Sequence, residues 1–100
     1  MPDESGPEVL IDEVRRTGDG YVLRVKVLAV PESDLYPAGV KYRMHFGTVE
    51  GETLLRYDNS HGVHERHAND GVEEIDFPGF EALYHRFRNE ISQQWGDQLE

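Results

Sequence analysis

The chain contains no cysteine, which excludes disulfides and thiolate metal sites. It is short of lysine: Lys26 and Lys41 are the only two among ten basic residues. No apolar run approaches the ~20 residues that a bilayer crossing requires, so neither a helical anchor nor a membrane partner is expected. The first residues, MPDESGPEV, are acidic and polar, the reverse of the basic-then-apolar order of a signal peptide. The expected location is cytoplasmic. One hundred residues suffice for one domain with a single modest core.

What is abundant is negative charge. Twenty acidic residues oppose ten basic ones, for a net charge of -10. Carboxylates keep a surface hydrated, and molar salt screens their repulsion, with a Debye length of ~3 Å at 1 M. An acidic, lysine-poor composition therefore points to a halophilic, archaeal source. On that reading the net charge reflects surroundings more than binding partners.

Residues 1–8 combine Pro, Gly, Ser and acids, and the expectation is a flexible acidic tail ahead of one domain over residues 9–96. VLIDEVRR has strand-like content and TGDG closes it. YVLRVKVLAV (Tyr21 to Val30) is rich in β-branched residues. After a loop, with a short helical turn expected at Glu32–Tyr36, VKYRMHF (Val40 to Phe46) alternates with period two. TLLRYD (Thr53 to Asp58) returns after the GTVEGE reversal, and VEEID offers a short edge strand. Phe80, Leu83, Tyr84, Phe87, Ile91 and Trp95 then fall at helical spacing, with Pro78 in the first turn and Asp76 or Phe77 at the cap. The expected fold is α+β: an antiparallel four- to five-stranded β-meander packed on one face by a long C-terminal α-helix.

Period two sorts the strands into faces. If the helix covers the apolar face, the other gathers Arg24, Lys26, Lys41, Arg43, His45 and Arg56. Such a cationic surface suits phosphate, and long basic side chains also simply cover an exposed sheet well.

Three of the five histidines fall within RYDNSHGVHERH: His61, His64 and His67. With Asp58 they could be weighed as metal ligands, but the spacing matches no common zinc signature, and neither a metal nor another cofactor is expected. Imidazole exchanges protons near neutrality. Metal-free RNA cleavage needs a base for the 2′-hydroxyl, an acid for the leaving 5′-oxygen and a cation for the phosphorane. His45, Arg56, Asp58, His61, His64 and His67 meet that list as candidate catalytic residues. Arg24, Lys26, Lys41, Arg43 and Asn59 are the candidate RNA-binding residues. A solvated loop without chemistry, or a binding module that docks a partner through its open face or strand edge, accounts for the same residues.

The pattern Y-x-x-H at Tyr42 to His45, R-Y-D-N at Arg56 to Asn59, then S-H and H-x-x-H, resembles the TumE-like family of prokaryotic toxins. The resemblance spans roughly Val9 to Trp95. It implies a growth-inhibiting toxin acting on RNA as an endoribonuclease, silenced by a small cognate antitoxin. It points to His45, Arg56, Asp58, Asn59, His61 and the later histidine pair. This chain departs from the family pattern in carrying a lone His61 followed by His-Glu-Arg-His. A homodimer is left open.

Overall fold

A computed structural model describes residues 8–96. The acidic tail expected at residues 1–8 lies outside the described residues, except that Glu8 opens the first strand. Six strands follow in chain order: β1 (Glu8–Arg16), β2 (Tyr21–Ala29), β3 (Val40–Thr48), β4 (Thr53–Asp58), β5 (Glu65–Ala68) and β6 (Gly71–Glu74). They form one antiparallel sheet in the order β1-β2-β3-β4-β5-β6. The helix α1 (Phe80–Trp95) follows the last strand.

The meander and its helix match expectation, but the strand count is six rather than four to five. The extra strand is β5, inside the stretch read as a histidine loop. Its sequence, Glu-Arg-His-Ala, carries no apolar alternation. Backbone pairing of Arg56 with His67, Tyr57 with Arg66 and Asp58 with Glu65 makes it a strand. The turn expected at Glu32–Tyr36 is not helical; Ser33 and Tyr36 close it by two hydrogen bonds, of 3.1 and 3.2 Å.

Alternation sets the core. Leu23, Val25 and Val27 of β2, Tyr42, Met44 and Phe46 of β3, and Leu55 and Tyr57 of β4 are buried against Leu83, Phe87 and Ile91 of α1. Phe87 meets the Tyr57 ring edge-on at 5.1 Å, and Trp95 packs on Phe46 at 5.2 Å. α1 starts later than the sequence suggests. Gly79, at φ 116°, precedes its first residue, and a backbone turned that way cannot continue a helix back to Pro78. Asp76, Phe77 and Pro78 therefore lie before the helix rather than at its cap and first turn.

Two polar ties hold the sheet to the helix. Arg66 projects from β5 toward α1 and forms a short ion pair with Glu90, which also accepts from the Tyr57 hydroxyl. At the other end, the Tyr84 hydroxyl donates to Glu13 at 2.6 Å. Both ties lie on the helix side, so the opposite face of the sheet is left bare.

Candidate functional site: the bare face of the sheet

The strand register lays the site out directly. Arg24, His45, Arg56 and His67 stand in one row across β2, β3, β4 and β5. The next row is Lys26, Arg43, Asp58 and Glu65. Lys41 faces Leu28 one step further along. All share the face away from α1: on β2, β3 and β4 they alternate with buried core residues, and Glu65 and His67 join them by pairing with Asp58 and Arg56. Arg24, Lys26, Lys41 and Arg43 are exposed, whereas His45, Arg56 and His67 are half-buried.

Arg56 is the centre. Its Nε lies 2.8 Å from Asp58 Oδ2 in an ion pair, although the N–H is not aligned for a hydrogen bond. Its Nη2 lies 3.2 and 3.3 Å from the two ring nitrogens of His67. Near-equal distances to both nitrogens place the guanidinium group over the imidazole ring, since an in-plane approach would collide with Cε1. His67 Nε2 also lies 3.2 Å from Glu65 Oε1 and 3.9 Å from Asp58 Oδ2.

On the other flank of Arg56, His45 Nε2 shares a 3.0 Å hydrogen bond with Thr53 Oγ1. Its Nδ1 is enclosed and has no partner among the described residues. Burial first, then the guanidinium groups of Arg43, Arg56 and Arg24, holds the His45 pKa below its ordinary value. The shift favours the neutral imidazole.

Among the hollows on this face, two flank Arg43. One of about 190 Å³ is lined by Arg43, Arg56, Asp58, Ser60, His61, Glu65 and His67. The other, of about 430 Å³, includes Arg24, Lys26, Arg43 and His45, with Asp12 and Val14 of β1 at its outer side. Arg43 is common to both. His61 is exposed on the β4–β5 loop, at the rim of the smaller hollow.

The structure does not bring all the sequence candidates together. His64 Nδ1 bonds the Tyr42 hydroxyl at 2.9 Å, and its ring stacks on Phe77 at 4.6 Å. Tyr42 belongs to the core, so His64 sits with the helix-side residues, and burial lowers its pKa. Asn59, 2% exposed, accepts from the Tyr42 N–H at 2.9 Å and donates to the Val40 carbonyl at 2.8 Å. Its amide extends the β3–β4 ladder and is not free for RNA. Two participants were missed. Glu65 shares a face with His67 only once β5 is known to be a strand. Thr53 meets His45 because the register shifts between Phe46 and Gly47.

The metal question resolves on charge. His61, His64 and His67 do not converge, because His64 turns to the helix side. Among the described residues, ligand atoms of Asp58, Glu65 and His67 do lie within 4.8 Å of one another. Arg56 already occupies that cluster as its cation, touching both Asp58 and His67. A divalent ion would have to displace it or sit beside a like charge, so the set does not fit a metal.

A small α+β domain that carries cations and imidazoles on an uncovered sheet face is the class of protein this fold and site define. A family model described as Toxin TumE matches residues 3–95. The chain belongs to that toxin family. No curated protein and no solved structure matches the chain. No helix among the described residues is long and apolar enough to cross a membrane.

Proposed function

We propose that this chain is the toxin of a toxin–antitoxin pair and that it cleaves RNA without a metal on the bare face of its sheet. Family membership supports the toxin role, and with it a small cognate antitoxin as partner. The observation that carries the chemistry is the register row in which Arg56 stands between His45 and His67.

In-line displacement at phosphorus puts the entering and leaving oxygens on opposite sides. A phosphate held by Arg56 would have an imidazole on either side. His45, neutral, takes the proton of the ribose 2′-hydroxyl. Because Nδ1 is enclosed, exchange runs through Nε2, and the ribose hydroxyl replaces Thr53 as its partner. His67 gives a proton to the leaving 5′-oxygen. Glu65 and Asp58, within 3.2 and 3.9 Å of Nε2, orient the ring for this step. Arg56 stabilises the charge developing on the phosphorane oxygens. Arg24, Lys26, Lys41 and Arg43 hold neighbouring phosphates, and His61 lies where a flanking nucleotide would rest.

A non-catalytic docking module is the second reading. It is favoured by the pairing of Arg56 with Asp58, which already satisfies the row internally. The two separate by experiment. Pure protein is incubated with RNA beside His45→Ala, His67→Ala and Arg56→Ala variants. Loss of a proton-transfer group typically costs about 10²–10⁴ in rate, with a bell-shaped pH profile in the parent. RNA cleavage that survives all three substitutions, or no cleavage by the parent, would remove catalysis from this face.

A further inference from the structure

The two edges of the sheet differ. β6 has four residues and carries Glu73 and Glu74, a short, charged edge of the kind that resists pairing. β1 has nine residues and no proline or lysine. Its inner side pairs with β2, and no strand among the described residues pairs with its outer side. Val14 is 54% exposed there. Such an edge offers a row of backbone donors and acceptors to another strand.

The side chains say which strand. The register shift between Val9 and Ile11 confines regular pairing to the second half of β1. That half reads Asp12-Glu13-Val14-Arg15-Arg16, two acids and two bases arranged about a valine. An antiparallel two-fold pairing must match residues that share a face. Centred on Val14, it sets Val14 against Val14, Glu13 against Arg15 and Asp12 against Arg16, each polar pair occurring twice. The neighbouring face-matched registers are worse. Centred on Glu13, the strand opposes two glutamates and sets Asp12 against Val14. Centred on Arg15, it opposes two arginines.

We propose that a second copy of this chain docks on β1, strand to strand, about a two-fold axis through Val14. Within one copy Glu13 is already engaged by the Tyr84 hydroxyl at 2.6 Å and by Arg88 at 3.8 Å, so Asp12 and Arg16 are the pair that discriminates the seam. Arg15 Nε reaches Glu13 at 2.7 Å on the helix side, and Lys26 approaches Asp12 only to 3.9 Å. Arg16 is exposed and makes no ion pair or hydrogen bond with the described residues. The product is one twelve-stranded sheet whose bare face is continuous. The two Arg56 rows then lie on the same side, seven strand spacings or about 33 Å apart.

The test is sedimentation velocity of the full chain at about 0.15 M salt, where the Debye length of ~8 Å leaves close pairs effective. Two single variants are used, Asp12→Arg and Arg16→Glu. Both sites are exposed and outside the proposed catalytic row, and circular dichroism checks that each variant folds. The parent is expected to dimerise. Each variant alone opposes like charges at two positions, and its dissociation constant is expected to rise on the order of tenfold. Mixing the two restores opposite charges across the axis and returns the affinity to that of the parent. A monomeric parent, variants as tight as the parent, or a mixture no tighter than its components would each overturn the proposal. No arm reads RNA cleavage, so this result and the fate of the nuclease reading are independent.

Discussion

At the residue scale, the motif from Tyr42 to Asn59 divides by parity into two jobs. Tyr42 and Tyr57 are buried against the helix layer. His45, Arg56 and Asp58, out of phase with them, form the bare-face row. Asn59 does neither job: its amide imitates a peptide group and closes the strand pair beside Tyr42. Replacing it with alanine leaves the buried Tyr42 N–H unsatisfied. Asn59→Ala is therefore expected to cost about 1–3 kcal/mol in stability, read by urea denaturation, while RNA cleavage per folded molecule stays unchanged. His64 has a related, structural role that shows in pH dependence. Burial depresses the pKa of both His45 and His64, so the unfolded chain takes up their protons first. Stability is full above the unfolded histidine pKa of about 6.5 and falls as pH drops below it. His64→Phe, which keeps the stack on Phe77, removes its share of that acid sensitivity. The check is the difference in melting temperature between about pH 7.5 and about pH 5.5. It should shrink in the variant.

At the scale of elements, β3 and β4 position the chemistry, and Gly47 sets how they meet. The register shifts beside it, with Gly47 opposite Thr53. A Cβ at Gly47 would overlap the Glu52 carbonyl oxygen and stand 3.0 Å from His45 Cε1. Gly47→Ala is expected to destabilise the fold by about 1–3 kcal/mol, as overpacking does. It should also break the His45–Thr53 contact, so that the acid-side limb of the pH–rate profile, which reports the general base, moves with it. An unchanged profile in a folded variant would separate His45 from the reaction. β2, β3 and β4 and the helix were readable in the sequence because burial on one side imposes a period on residue choice. That period also put His45 with Arg56 before any coordinates. β5 was not readable. Glu65 to Ala68 is partly buried on both faces by polar partners, Arg66 on Glu90 and His67 on Arg56, and carries no period. His64 was misplaced for the same kind of reason: its stack on Phe77 joins segments that no local spacing relates.

At the scale of the whole molecule, charge is segregated rather than merely negative. A chain of net charge -10 repels RNA at a distance. Yet Arg24, Lys26, Lys41 and Arg43 stand together on one face, flanked by Asp12 on β1 and by Glu65 and Glu74 on β5 and β6. The acids on either side narrow the favourable zone to the three middle strands, so an RNA strand gains only where it follows that zone. The number of phosphates neutralised then fixes the response to salt. Four cations meeting four phosphates of a single strand give a slope of log affinity against log salt of about −3. Binding measured across a salt series with the catalytically silent His45→Ala/His67→Ala variant tests this. Lys41→Ala should flatten the slope by about 0.7 and weaken all sequences alike. Arg86→Ala, exposed on the helix layer and away from the bare face, should leave the slope alone. A slope near zero, or one that responds to Arg86 and not to Lys41, would place the RNA elsewhere on the molecule.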